Sequence, residues 1–196
     1  MQGHRHFILN KPYGYLSQFV NNQNKRKNKK LLGELHDFPE GTMSIGRLDE
    51  ASEGLLLLTT NGVVSTQVRS KTVEKEYYVQ VDGKVTDDAT AQLEQGVEIG
   101  INGKKYQTLP CKAFRLKTAP DLAPRPTGQK IRNEKHGPTS WLSITITEGK
   151  FRQIRKMTAA VGFPTLRLIR VRIGGITLGE LQPGEVLEVD GFGIEK

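Results

Sequence analysis

Ser44-Ile-Gly46-Arg47-Leu48-Asp49-Glu50-Ala51-Ser52-Glu53-Gly54-Leu-Leu-Leu-Leu-Thr59-Thr-Asn-Gly62 is the stretch on which the reading of this chain turns. Its run of four leucines is too short to cross a bilayer and predicts a buried strand over 55–60. The loop ahead of that strand is bounded by Gly46 and Gly54 and holds three acids and Arg47. Loops carried on a rigid sheet are where catalytic side chains are usually displayed. Asp49 is therefore a candidate catalytic carboxylate. The same aspartate also suits a turn cap reaching toward Ser52.

Outward from that loop the chain is rich in strand signals. His6-Phe-Ile-Leu-Asn10 predicts a second buried strand, and 76–82 and 141–147 alternate as half-buried ones. Thr86 predicts a helix N-cap, with Asp87 and Asp88 in the first turn, Leu93 facing inward and Gly96 closing it. A second helix is predicted over 151–161, with Phe151, Ile154, Thr158 and Val161 on one stripe and Gly162 and Pro164 as stop signals. In Leu166-Arg-Leu168-Ile169-Arg-Val-Arg-Ile173 apolar and basic positions alternate, but the phase slips at Leu168–Ile169, which suits a bulge or a strand end. Strands and helices do not alternate strictly, so the expected class is mixed α+β.

Charge points to the partner. The 196 residues carry a formal net charge of +8, with 36% apolar and 26% charged residues. Basic excess favours an anionic partner, nucleic acid first. It is concentrated in three places. Lys25-Arg26-Lys27-Asn28-Lys29-Lys30 is basic at five of six positions, six basic residues fall within 115–135, and seven fall within 150–172 without one acid. The 21–30 segment reads as an exposed basic tip, and 117–138, with four prolines, as a Pro-rich connection. The basic runs lack an adjoining amphipathic face, so no membrane role is expected. One cysteine, Cys111, permits no internal disulfide, which suits a reducing cytoplasm. Scattered histidines and a lone cysteine give no metal pattern, and no glycine-rich phosphate loop opens a helix. No metal and no cofactor are expected.

The blocks together resemble a known family. Gly-Arg-Leu-Asp-x-x-Ser-x-Gly-Leu-Leu-x-Leu-Thr-x-x-Gly is similar to the catalytic motif of bacterial ribosomal RNA pseudouridine synthases of the small-subunit-synthase type. Phe7-Ile-Leu-Asn-Lys11-Pro12-Tyr-Gly14, Lys75-Glu-Tyr77-Tyr-Val79, Glu148-Gly-Lys-Phe-Arg152-Gln-Ile-Arg155-Lys-Met157 and Leu168-Ile-Arg170-Val-Arg-Ile173-Gly174 resemble its other blocks in order. Pro138-Thr-Ser-Trp141-Leu and the run from Phe163 to Arg170 are most like the large-subunit branch designated E. Most relatives carry an S4 RNA-binding module before the first block. Here that block opens near His6, and a chain without the module is expected.

The resemblance implies a mixed, mostly antiparallel sheet with flanking helices and a central cleft, residues 1–196 forming a single catalytic domain of two lobes. It implies isomerisation of a uridine, in large-subunit rRNA, by a cytoplasmic monomer. Asp49 would be the essential carboxylate, Tyr77 would lie against the target base, and Arg155 would pair with Asp49. RNA contacts would come from Lys11, Lys25, Arg26, Lys27, Lys29, Lys30, Arg47, Lys150, Arg152 and Arg170. The rival from another class is a non-catalytic RNA-binding or ribosome-associated protein, which has no need of the Asp49 loop or Arg155. A metal-free ribonuclease is a more distant third, because paired histidines find no support.

Overall fold

The computed structural model describes residues 3–20, 28–70, 72–125 and 136–193. In chain order the elements are β1 (His6–Lys11), β2 (Met43–Ser44), β3 (Glu53–Thr59), α1 (Gly62–Val68), β4 (Lys75–Asp82), α2 (Asp87–Gln95), β5 (Glu98–Ile101) and β6 (Lys104–Gln107). They continue with β7 (Lys112–Arg115), β8 (Thr139–Ile146), α3 (Gln153–Ala160), β9 (Thr165–Ile173), β10 (Ile176–Thr177) and β11 (Val186–Val189). The class is α+β, as the element order predicts. The chain divides into two compact units, Met1–Val73 with Arg170–Lys196, and Glu74–Ile169.

The first unit is organised on β3, all seven of whose residues are buried. It pairs antiparallel with β1 from Thr59↔His6 to Gly54↔Lys11, and β1 pairs antiparallel with β11. Residues directly opposite share a face. Leu56 and Leu58 therefore lie with Leu9 and Phe7, whose ring meets Phe38 edge-on at 5.3 Å. Leu55 and Leu57 turn to the opposite face, into a core with Ile45, Val64, Val68, Ile173 and Phe192. A strand buried on both faces needs a continuous apolar run, and the four leucines supply it. α1 escaped the sequence reading because it is short. Its cap is local: the Asn61 Oδ1 accepts from the Val63 and Val64 N–H groups at 2.9 and 3.4 Å.

In the second unit β8 lies between β4 and β7, antiparallel to both. β4 keeps the expected alternation, with Tyr77, Val79 and Val81 buried. β8 does not, since residues 142–146 are all buried. Its polar members are compatible with burial because hydroxyls can be satisfied internally; Ser143 donates to Glu76 Oε1 at 2.9 Å. α2 has its predicted cap, Thr86 Oγ1 accepting from Ala89 N–H at 3.2 Å, and Gly96 ends it at φ 90°. β5 and β6 form a hairpin through Asn102-Gly103, both at positive φ, a turn signal the sequence reading passed over. β9 runs unbroken through Leu168–Ile169, with Arg167 to Arg170 buried in succession, so the phase slip is not a strand end. Of the Pro-rich connection, 117–125 has no regular structure, and Arg167 Nη2 donates to Ala123 O at 2.7 Å; 126–135 lies outside the described residues.

Thr86→Ala should cost about 1 kcal/mol in chemical denaturation, the usual worth of a hydroxyl cap. Gly96→Ala should cost more, because a Cβ there would lie 2.3 Å from the Thr108 carbonyl oxygen at a φ that disfavours it.

Candidate active site

The acidic loop begins where the β1–β3 ladder stops, at Lys11↔Gly54. Gly46 and Gly54 take φ values of 71° and 102°, left-handed conformations that a side chain would strain. Between them the backbone is tied at successive points. Ser17 Oγ donates to Leu48 O at 2.8 Å and accepts from Leu48 N–H at 3.0 Å. Gly14 N–H donates to Glu50 O at 2.8 Å, and Ser52 N–H donates to Asp49 O at 2.9 Å. That last bond closes the turn on the Asp49 carbonyl. Asp49 itself is half-buried beside buried Leu48.

Under this loop lies a charge out of contact with water. Lys11 is 0% exposed, and its Nζ donates to Pro12 O at 2.9 Å and Tyr15 O at 2.8 Å. Burial pushes its pKa down to about 7, a fall resisted by the negative charge of Glu53, Asp49 and Glu50 and assisted by Arg170. Glu53 and Arg170 are buried too, and Arg170 Nε donates to Leu55 O at 2.8 Å. Glu50 accepts from Lys29 Nζ at 2.5 Å.

The second unit carries the other two predicted catalytic residues. Tyr77 is buried on β4 opposite Ile144 of β8. Arg155 is half-buried in the first turn of α3. That turn is shaped by Glu148, a buried carboxylate whose importance the sequence reading missed although it quoted the residue. Glu148 accepts from the Tyr106 hydroxyl, from Leu109 N–H at 2.9 Å and from Gln153 Nε2 at 2.7 Å. Gln153 Oε1 in turn accepts from Lys150 N–H at 3.1 Å. Arg152, just before the helix, takes a left-handed φ of 51°. No local pattern marks Glu148; a carboxylate beside a glycine usually reads as solvated.

Several expected RNA contacts need correction. Lys11 and Arg170 are 0% and 4% exposed, Lys11 on the carbonyls of Pro12 and Tyr15 and Arg170 on that of Leu55, so neither lies on a surface open to phosphates. Lys29 is held on Glu50 with its side chain only 10% exposed. Lys30 is exposed and lies 5.4 Å over the Tyr15 ring. Arg47, Lys150 and Arg152 are exposed, as a phosphate contact requires. Lys25, Arg26 and Lys27 lie outside the described residues. Burial pushes the Cys111 thiol up to about 11, which disfavours a thiolate nucleophile there. Among the described residues no three His, Cys, Asp or Glu side chains gather as metal ligands, and no helix is long and apolar enough to cross a membrane.

The Lys11 environment has a measurable consequence. Between about 7 and 10.5 the unfolded chain keeps a proton that folded Lys11 has released, so this group's contribution to stability rises with pH across that window. Wild type should gain stability over Lys11→Met as pH climbs through it, read as the difference in urea midpoints. A difference that stays constant across the window contradicts the assignment.

Comparison with known proteins agrees along the chain. A family model described as RNA pseudouridylate synthase matches residues 5–160. A ribosomal large subunit pseudouridine synthase E of Vibrio parahaemolyticus is 42% identical over 192 residues, covering 96% of this chain and 75% of that protein. One of the same description from Xanthomonas campestris pv. campestris is 45% identical over 181 residues, covering 91% of each. Ribosomal small subunit pseudouridine synthase A of Escherichia coli K12 is 32% identical over 190 residues, covering 93% of this chain and 69% of that one. A crystal structure of a pseudouridylate synthase superposes with a TM-score of 0.73 at 27% identity, over 96% of this chain and 71% of that one. Matched by the family model along most of its length, the chain belongs to the RNA pseudouridylate synthase family.

Proposed function

We propose that this pseudouridine synthase acts on a uridine of large-subunit ribosomal RNA, with Asp49 as its catalytic carboxylate. The observation that carries the reading is the way the Asp49 backbone is held: a loop fixed by Ser17 and Gly14 on one side and by its own turn to Ser52 on the other. A reacting carboxylate must be aimed before substrate arrives, and such anchoring supplies the aim. The substrate follows from the relatives described as large-subunit synthases at 42% and 45% identity.

In the reaction the C1′–N1 bond breaks, the uracil turns, and a C1′–C5 bond forms. N1 gains a proton and C5 loses one. The net change is an isomerisation, so a single carboxylate working as nucleophile or base can serve it. Arg155 is assigned as the guanidinium partner that aims that carboxylate, and Tyr77 as the ring that receives the base. The target nucleotide leaves its stack to react, which favours weakly paired sites. Arg47, Lys150 and Arg152, together with Lys25, Arg26, Lys27 and Lys30, supply contacts to the RNA backbone.

Incubation with large-subunit rRNA followed by mapping of pseudouridine tests the reading. Asp49→Asn should abolish product while RNA affinity and the thermal midpoint hold. Arg155→Lys should lower turnover by roughly a hundredfold, the scale for a reacting group displaced from its working geometry. Product formed normally by Asp49→Asn removes the catalytic assignment. Log affinity for rRNA should also fall steeply with log salt, with a slope reflecting several released counterions. A flat dependence contradicts the proposed backbone contacts.

A further inference from the structure

Phe151 stands between Lys150 and Arg152 with 65% of its surface exposed. The sequence placed it on the buried stripe of α3. The left-handed turn at Arg152 breaks the helical register, so the ring falls outside that stripe. A large ring left in water on a loop of cations fills no core.

The ring is nonetheless on a built support. Glu148 fixes Gln153, and Gln153 fixes the Lys150 backbone, so the chain on either side of Phe151 is anchored to a buried carboxylate. Lys150 Nζ lies 4.7 Å over the Tyr106 ring, and the Tyr106 hydroxyl donates to that same Glu148. Lys156 Nζ lies 5.2 Å over the Phe151 ring while donating to Gly100 O at 2.7 Å, which ties one face of the ring to β5. A preorganised aromatic with one face on a cation and much of the rest open is suited to receive a flat π partner. The surrounding positive charge selects for a polyanion that carries such partners.

We propose that Phe151 is a stacking platform for an unpaired base of the RNA, with the neighbouring lysines and arginine on the adjoining phosphates. This deepens the proposed function and rests on it for the identity of the RNA. It adds the single-stranded element that the enzyme grips.

The test compares binding of a short oligouridylate with an abasic oligomer of the same length and charge, for wild type, Phe151→Ala and Phe151→Tyr. Wild type should prefer the oligouridylate. Phe151→Ala should weaken that complex about tenfold, within the range of one lost stacking contact, and leave the abasic complex unchanged. The slope of log affinity against log salt should not move, since no charge is lost, and Phe151→Tyr should restore the preference. On large-subunit rRNA, Phe151→Ala should raise KM by a similar factor with kcat kept. Equal loss for both oligomers, no loss for either, or no preference in the wild type overturns the platform. Absence of pseudouridine in rRNA treated with wild type overturns the proposed function instead, and the oligomer comparison still decides the role of Phe151.

Discussion

A lysine amine with no exposure to solvent is the constraint around which the acidic loop is arranged. Lys11 ends β1 at the point where β3 begins, opposite Gly54, and its Nζ is held by the carbonyls of Pro12 and Tyr15. Those carbonyls belong to the turn whose Gly14 N–H holds Glu50 of the loop. Burying a cation is costly unless it is hydrogen-bonded and opposed by negative charge, and Glu53, Asp49 and Glu50 provide the opposing field. Glu53 is the buried acid of the three and opposes the charge most strongly, so its removal is the costly one, about 3–5 kcal/mol below about pH 7 where Lys11 is protonated. Lys11 thereby couples the start of the sheet to the loop that presents Asp49.

The second unit uses the same device with the signs reversed. There a buried carboxylate, Glu148, lies beneath a basic loop and is satisfied by a phenol, a backbone N–H and an amide. Its hydrogen bonds shape the turn from Lys150 to Gln153 and with it the start of α3, where Arg155 sits. A fully satisfied polar network in a low-dielectric setting is rigid, which suits a segment that must present cations in a fixed pattern. The Tyr106 pKa is raised by its bond to Glu148, so the phenol stays a donor to that carboxylate.

These supports separate two tasks that a basic RNA-modifying enzyme must perform. Affinity for a polyanion comes from exposed cations and is screened by salt. Aim at one base comes from side chains whose backbone is locked, and salt does little to it. Exposed Arg47, Lys150 and Arg152 are proposed for the first task. The anchored Asp49 loop and the fixed Phe151 ring are proposed for the second.

Sequence by itself determined the local elements whose cause is local. The four leucines specify β3 because a strand buried on both faces needs an uninterrupted apolar run. Thr86 and Gly96 delimit α2 because a hydroxyl cap and a left-handed residue act within one turn. The ordered blocks also placed Asp49 on a loop between two glycines, where it is found. Tertiary structure alone decided what each charge does. Lys11 and Arg170 read as phosphate contacts, yet packing buried both; Lys29 read as part of an exposed tip, yet it lies on Glu50. Glu148 became a hub and Phe151 turned outward, both through a turn that no periodicity announces. The reason is physical: helix caps and strand runs depend on neighbours in sequence, whereas the burial and partner of a charge depend on elements brought together from distant positions.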